Sequence, residues 1–224
     1  MIAVRSFRLM MVRRIAPAAC ALAVLAAPSA EAKAPRCRLA GLNLAHSKTI
    51  KVVKRTNEDT ETVRLLGCLR PNGRTRTLAE GVVSFTTETS LSVDGVAGTW
   101  VAIQSASSNQ YGGSTSLRTV DVRTGRSYAV ATESYMLGGP YQGQAVQAIA
   151  VNARGFTAAM VDDLASGGGT AVMVTRRRVA LFDSRGNVRE LDSGPPAELD
   201  PRSLILDTHT VLWSHGGLTR YARF

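Results

Sequence analysis

The chain has 224 residues and carries 27 lysines and arginines against 17 aspartates and glutamates, for a formal net charge of +10. This length is sufficient for one domain with its own hydrophobic core. Beyond the N-terminal region no stretch is long and apolar enough to cross a bilayer, which excludes a membrane-spanning helix there. The positive balance is typical of proteins that meet anionic partners, although the same charge also keeps a domain soluble.

The N-terminal region has the three parts of a secretory signal peptide. A basic start that ends in Arg13 and Arg14 precedes an apolar run over residues 15–27, and small residues then lead to Ala32. The apolar run is shorter than the roughly 20 residues that a bilayer-spanning helix needs. We therefore predict a signal peptide over residues 1–32, and a secreted or cell-envelope associated protein that keeps no transmembrane segment after cleavage.

Two cysteines, Cys37 and Cys68, follow the predicted signal peptide. An even pair of cysteines in an oxidising compartment predicts a disulfide. It would close a loop of about 32 residues, for which the lost entropy of the unfolded chain gives a stabilisation of roughly 3.7 kcal/mol. We therefore expect residues 33–48 to form a linker that the disulfide ties to the first hairpin.

From residue 49 onward, short runs of β-branched and apolar residues alternate with turn residues, a pattern that predicts an all-β protein. We assign residues 49–224 to a single β-repeat domain. Three of its hairpins align on Gly73, Gly125 and Gly186, because glycine adopts a positive φ in a turn at no steric cost. A second kind of hairpin precedes the later copies, so each full unit has four antiparallel strands over roughly 50 to 60 residues.

Four-stranded units of this size are typical of β-propeller blades. The repeats predict a small propeller-like fold of about four units, with a β-sandwich or a curved sheet as the alternative. The last unit stops after its third strand, at residues 218–224, and the first unit begins with a spare strand at residues 49–55. We expect the spare strand to complete the last unit and close the ring, because closure removes exposed sheet edges.

Residues 65–74, residues 100–102 and the turn over residues 120–125 carry a resemblance to known proteins. In these motifs the chain resembles uncharacterised secreted β-propeller-like repeat proteins of actinobacteria. The likeness covers most of the chain after the signal peptide, and the Trp-Asp strand ending and double glycine of other propeller families are missing. Because the shared motifs are structural, the resemblance implies the fold and export, and it implies no activity.

Motifs of catalysis and metal binding are absent from the sequence. The histidines show no metal-ligand spacing, and no G-x-S-x-G nucleophile string occurs. We therefore predict no metal site, no cofactor and no catalytic residue, and we interpret His209 and His215 as solvated turn residues. The best pair of carboxylates is Asp162 and Asp163, which with Glu133 would serve the alternative function, a polysaccharide hydrolase or lyase.

Two segments, residues 107–114 and residues 135–142, combine tyrosines with amide side chains and glycines. We predict that both are loops between strands. Aromatic rings beside amides suit sugar or peptide surfaces, and functional residues concentrate in loops on rigid scaffolds. The candidate binding residues are Asn109, Tyr111, Tyr135 and Tyr141.

Export, the repeats and the absence of a converging catalytic set together predict a non-catalytic secreted binding or scaffold domain. Its candidate partners are an anionic envelope polymer or a protein, and we expect no nucleic-acid binding. A third class of function also stays open. Because the number of units is low, the chain could be a fragment that completes its sheet by forming oligomers.

Overall fold

Antiparallel β-strands make up the part of the chain that the computed structural model describes, and this part contains no helix. The described residues are 37–136, 142–166 and 172–224. The predicted signal peptide and Tyr141 lie outside them. The strands are β1 (Leu42–His46), β2 (Ile50–Asn57), β3 (Thr62–Leu69), β4 (Thr75–Val82), β5 (Thr87–Ala97), β6 (Trp100–Asn109), β7 (Gly112–Asp121), β8 (Ser127–Met136), β9 (Gln142–Val151), β10 (Thr157–Ser166), β11 (Val172–Phe182), β12 (Val188–Gly194), β13 (Leu199–Leu206), β14 (Thr210–His215) and β15 (Leu218–Arg223).

The strands form three sheets, in which each strand pairs with its neighbours in the sequence. The first sheet contains β1 to β4, the second β5 to β12 and the third β13 to β15. Within the second sheet, β8 and β9 pair at only two positions, Glu133 with Gly143 and Ser134 with Gln142. The second sheet therefore divides into two four-stranded halves. The described chain has four successive units, which confirms the predicted all-β class and its antiparallel four-stranded repeats.

A hydrophobic core lies between each pair of successive units. Strand β10 shows how the cores are shared. Ala158 and Met160 are buried against the last unit, whereas Ala159 and Val161 are buried against the second unit. Successive residues of a strand point to opposite faces, so β10 contributes side chains to two cores. Because both of its faces are buried, its sequence contains a continuous apolar run.

The three turn glycines occupy equivalent hairpins, as the repeat pattern predicts. Gly73, Gly125 and Gly186 lie between the third and fourth strands of their units, with φ angles of 68°, 81° and 89°. Asp121 and Asp183 cap two of these turns, since the Oδ1 atom of each accepts a backbone N–H two residues further on, at 3.0 and 2.8 Å. Local turn chemistry therefore fixes the register of the repeated hairpins.

The expected ring closure is wrong for the described residues. Leu42–His46, within the predicted linker, forms β1 at the edge of the first sheet. Strand β2, the predicted spare strand, consequently lies between β1 and β3 and has no free edge with which to complete the last unit. Among the described strands, β15 pairs only with β14. Among the described residues, strand pairing therefore does not join the last unit to the first.

The predicted disulfide between Cys37 and Cys68 is confirmed. It fastens the segment before β1 to the buried end of β3, where Cys68 is fully shielded from solvent. None of the described residues belongs to a helix that is long and apolar enough to span a membrane.

Candidate functional site

A cavity of about 460 Å³ lies where the first strands of the later units meet. Strand β5 contacts both β1 and β9, and β9 contacts β13. Because β8 and β9 pair at only two positions, near the end of β8, the two strands separate over the rest of their length and leave space between the second and third units. The polar part of the cavity lining consists of Asp94, Gln104, Thr115, Glu133, Gln144 and Gln147.

Amides and hydroxyls outnumber the carboxylates in this cavity. Asp94 is an exposed residue, and partial desolvation of its carboxyl group raises its pKa, while a hydrogen bond from Ser92 Oγ to Asp94 Oδ1 at 3.3 Å offsets part of that rise. Leu117 and Ala131, both buried, add apolar surface to the lining. Amide side chains donate and accept hydrogen bonds, so this lining suits a polar ligand that also has apolar faces.

Three of the predicted binding residues, Asn109, Tyr111 and Tyr135, come together at one edge of the second unit, and we call them the tyrosine tip. Asn109 Oδ1 accepts a hydrogen bond from the backbone nitrogen of Tyr111 at 2.8 Å, which fixes the turn between β6 and β7. Tyr135 lies opposite Gly113, where a Cβ atom would be 2.9 Å from the tyrosine hydroxyl oxygen. Tyr111 and Tyr135 are 69% and 40% exposed.

The tyrosine tip lies beyond one end of the cavity, on the same strands β7 and β8, although the two have no lining residue in common. In the pairing of β7 with β8, Thr115 lies opposite Glu133 and Gly113 lies opposite Tyr135. Residues two apart on a strand share a face, so Tyr135 follows Glu133 at the mouth of the cavity. From Ala131, at the inner end, to Tyr135 the surface extends about 13 Å at roughly 3.3 Å per residue. We call the cavity together with the tyrosine tip the tyrosine groove.

The tyrosine tip is more ordered than the predicted loops. Within residues 107–114, β6 continues to Asn109 and β7 begins at Gly112, which leaves a turn of two residues. Tyr135 lies in β8, so the prediction that it belongs to a loop is wrong. Tyr141 falls outside the described residues. Strand pairing therefore sets the direction of the Tyr135 side chain, which was predicted to lie in a loop.

Asp162 and Asp163, the best carboxylate pair in the sequence, are held by arginines on the neighbouring strand. Asp162 is 1% exposed and forms a bidentate ion pair with Arg177, with Nε to Oδ1 at 2.6 Å and Nη2 to Oδ2 at 2.9 Å. Asp163 accepts a hydrogen bond from Arg176 Nε at 3.1 Å and lies 3.3 Å from Arg178 Nε. As neighbours on a strand they point to opposite faces, so they form no acidic pair.

His215 belongs to a cluster that the sequence did not reveal, and the interpretation as a solvated turn residue is wrong for it. Its Nδ1 lies 2.9 Å from Asp192 Oδ2, and its Nε2 lies 3.0 Å from Glu198 Oε2. Trp213 Nε1 donates to the same Asp192 oxygen at 2.7 Å. The partners are 17 and 23 residues away from His215 in the sequence, so no local pattern indicates them. The cluster joins β14 of the last unit to β12 of the third unit.

We expect the contribution of His215 to stability to depend on pH. Hydrogen bonds to Asp192 and then to Glu198 raise the pKa of His215 above its ordinary value. Stability from a group whose pKa is raised by folding is fully present below the ordinary pKa of about 6.5, and it is lost as pH rises through the folded value. His215→Gln should therefore lower the free energy of unfolding more at about pH 6 than at about pH 9.

Urea unfolding of both proteins at the two pH values measures this difference. His209→Gln, in an exposed turn, is the matched control and should show no pH-dependent loss. An equal loss for His215→Gln at both pH values would contradict the expectation.

Comparison with known proteins finds no matching family model, no similar curated protein and no similar solved structure. The resemblance to secreted propeller-like proteins therefore stays a prediction. Within the described ranges, no group of three or more histidine, cysteine, aspartate or glutamate side chains is placed to hold a metal ion.

Proposed function

We propose that this chain is an exported, non-catalytic binding domain that holds a glycan chain of the cell envelope in the tyrosine groove. One observation carries the proposal. Asn109, Tyr111 and Tyr135, chosen from the sequence as binding residues, lie together on the second unit. Tyr135 shares a strand face with Glu133, which lines the amide-rich cavity. Exposed aromatic faces next to oriented amides are the groups that bind sugar rings through their CH faces and their hydroxyls.

The shape and charge of the groove favour a neutral glycan over the other candidate ligands. The groove is about 13 Å long, which suits an extended chain. Gln144 Nε2 donates to Asp163 Oδ1 at 3.3 Å, so this amide is held in place before any ligand arrives. Asp94 and Glu133 in the lining repel polyanions, so an anionic polymer would have to bind elsewhere on the surface.

The fold is consistent with this function, and we propose that it is an open, propeller-like series of four units. The first strands of successive units lie side by side, as they do around the axis of a propeller. The Cys37–Cys68 disulfide is compatible with an oxidising, extracytoplasmic location and so supports the proposed export. Rigid stacked units of this kind would hold the groove in a fixed shape.

A second candidate function, polysaccharide cleavage, is favoured by one observation. Asp94 and Glu133 line the same cavity, and partial desolvation raises the pKa of Asp94, as a general acid requires. Against this candidate, the carboxylates singled out from the sequence, Asp162 and Asp163, are engaged by arginines. Binding without cleavage remains the proposed function.

Tyr135→Ala and Tyr111→Ala test the groove. We expect each to weaken retention of the exported protein on purified envelope glycan by roughly tenfold. An aromatic ring that the ligand covers on binding contributes about 1–2 kcal/mol. Retention is measured at low and high salt, and binding by the groove should persist at high salt.

Tyr221→Ala is the matched control, because Tyr221 is also exposed but lies on β15 in the last unit. It should leave retention unchanged. If Tyr221→Ala weakened retention as much as Tyr135→Ala, or if retention vanished at high salt, the groove would not be the binding site.

A further inference from the structure

A second pocket, of about 660 Å³, lies at the opposite ends of the strands from the tyrosine tip. Hairpin turns from the second and third units enclose it: Gly98 comes from the turn before β6, Arg123 and Arg126 from the turn before β8, Arg154 from the turn before β10, and Ser184 from the turn before β12. We call it the turn pocket. None of its lining residues belongs to the tyrosine groove.

Three arginines from two turns line the pocket, and their charges are only weakly paired. Arg126 has no side-chain partner in the described residues. Arg123 Nε lies 4.0 Å from Asp121 Oδ2, a carboxylate already used to cap its own turn through Thr124 Oγ1 at 2.8 Å. Arg154 has no carboxylate partner: its Nη1 donates to the backbone carbonyl of Thr208 at 3.3 Å, and its guanidinium lies over the Phe156 ring, 5.3 Å from the centroid. The pocket therefore has an excess of positive charge.

The wall of the pocket also offers a donor that has no acceptor within the described chain. Trp100 is 7% exposed and lines the pocket, and within the described chain its indole Nε1 donates to no acceptor. Gly155, with φ of 85°, lies against the ring, and a Cβ atom there would be 2.7 Å from Nε1. Among the described residues, Arg178 Nε is the buried side-chain nitrogen without a partner, so Trp100 Nε1 is reached by solvent. A ligand oxygen that replaced the solvent there would accept its hydrogen bond.

We propose that the turn pocket binds a phosphate group carried by an anionic polymer. The lining arginines come from two turns, and a tetrahedral phosphate offers oxygens in several directions that can accept from both of them. A carboxylate has two oxygens in one plane and would satisfy fewer of these donors. This site rests on the proposed function as a binding domain, and it assigns the anionic partner to a surface separate from the glycan groove.

The test measures binding of the exported protein to polyphosphate, inorganic phosphate and polygalacturonate at about 0.15 M salt, where screening suppresses long-range attraction. Arg126→Gln combined with Arg154→Gln should weaken polyphosphate binding by at least about tenfold, since each arginine supplies charge-assisted hydrogen bonds. The control combines Arg74→Gln with Arg220→Gln, which removes the same charge from exposed positions outside the pocket. Thermal unfolding checks that both variants are folded.

The outcomes distinguish phosphate binding in the turn pocket from glycan binding in the tyrosine groove. Polyphosphate binding that is lost in the pocket variant and kept in the control and in Tyr135→Ala would support the turn pocket, whatever the fate of glycan binding. An equal loss in the control would show that binding depends only on the net charge of the protein, and this would overturn the proposal. Binding of inorganic phosphate or polygalacturonate as tight as that of polyphosphate would also overturn it, and so would tighter binding of a single-stranded oligonucleotide.

Discussion

Replacing Arg177 with methionine is expected to lower the free energy of unfolding by about 3–5 kcal/mol. Arg177 is the ion-pair partner of Asp162, which is 1% exposed, and its Nη1 also donates to the carbonyls of Pro196 and Leu199 at 2.9 Å each. Removal of the arginine leaves a buried carboxylate without a counter-charge and two carbonyls without a donor. Chemical denaturation followed by circular dichroism measures the loss.

Arg176→Met is the matched control on the same strand. Arg176 is about half exposed, and its ion pairs with Asp163 and Glu190, at 3.1 and 3.5 Å, lie at the surface. Exposed pairs of this kind contribute up to about 1 kcal/mol. If Arg177→Met cost no more than Arg176→Met, Asp162 would not depend on its arginine, and a role for Asp162 in chemistry would have to be reconsidered.

Loss of the disulfide has the second-largest expected effect. Cys37 and Cys68 are 31 residues apart, so replacing both with serine frees a loop of the unfolded chain. We expect the free energy of unfolding to fall by about 2–4 kcal/mol, measured by urea denaturation. Reduced wild-type protein is the control and should unfold at the same urea concentration as the double variant. An unchanged midpoint in both would show that the disulfide does not stabilise the fold.

The hairpins could be predicted from the sequence because their signals are local. Gly73, Gly125 and Gly186 mark turns that need a positive φ, and the strands between them are rich in β-branched and apolar residues. Strand β1 gave no such signal, since Leu42–His46 contains no β-branched or aromatic residue. Pairing with β2 makes it a strand, and this pairing is also what displaced the expected ring closure.

The residues of the candidate sites also differ in whether their signals are local in the sequence. Tyr111 and Tyr135 could be proposed from the sequence because an aromatic ring beside amides is visible in a short window. Alternation gives the face on which Glu133 lies but not the strand that faces it, so its place beside Asp94 in one cavity could not be foreseen. The turn pocket joins turns from two different units, so it too depends on how the units stack.

Incubation of the protein, without its predicted signal peptide, with purified envelope glycan tests the central claim most directly, if both retention and release of soluble sugar fragments are measured. We predict that the protein is retained at high salt and releases no more fragments than glycan incubated alone. We expect the Asp94→Asn and Glu133→Gln variants to release no fragments either. Release of fragments by the wild type that is lost in Asp94→Asn or Glu133→Gln would contradict a non-catalytic binding domain. It would establish polysaccharide cleavage in the same cavity.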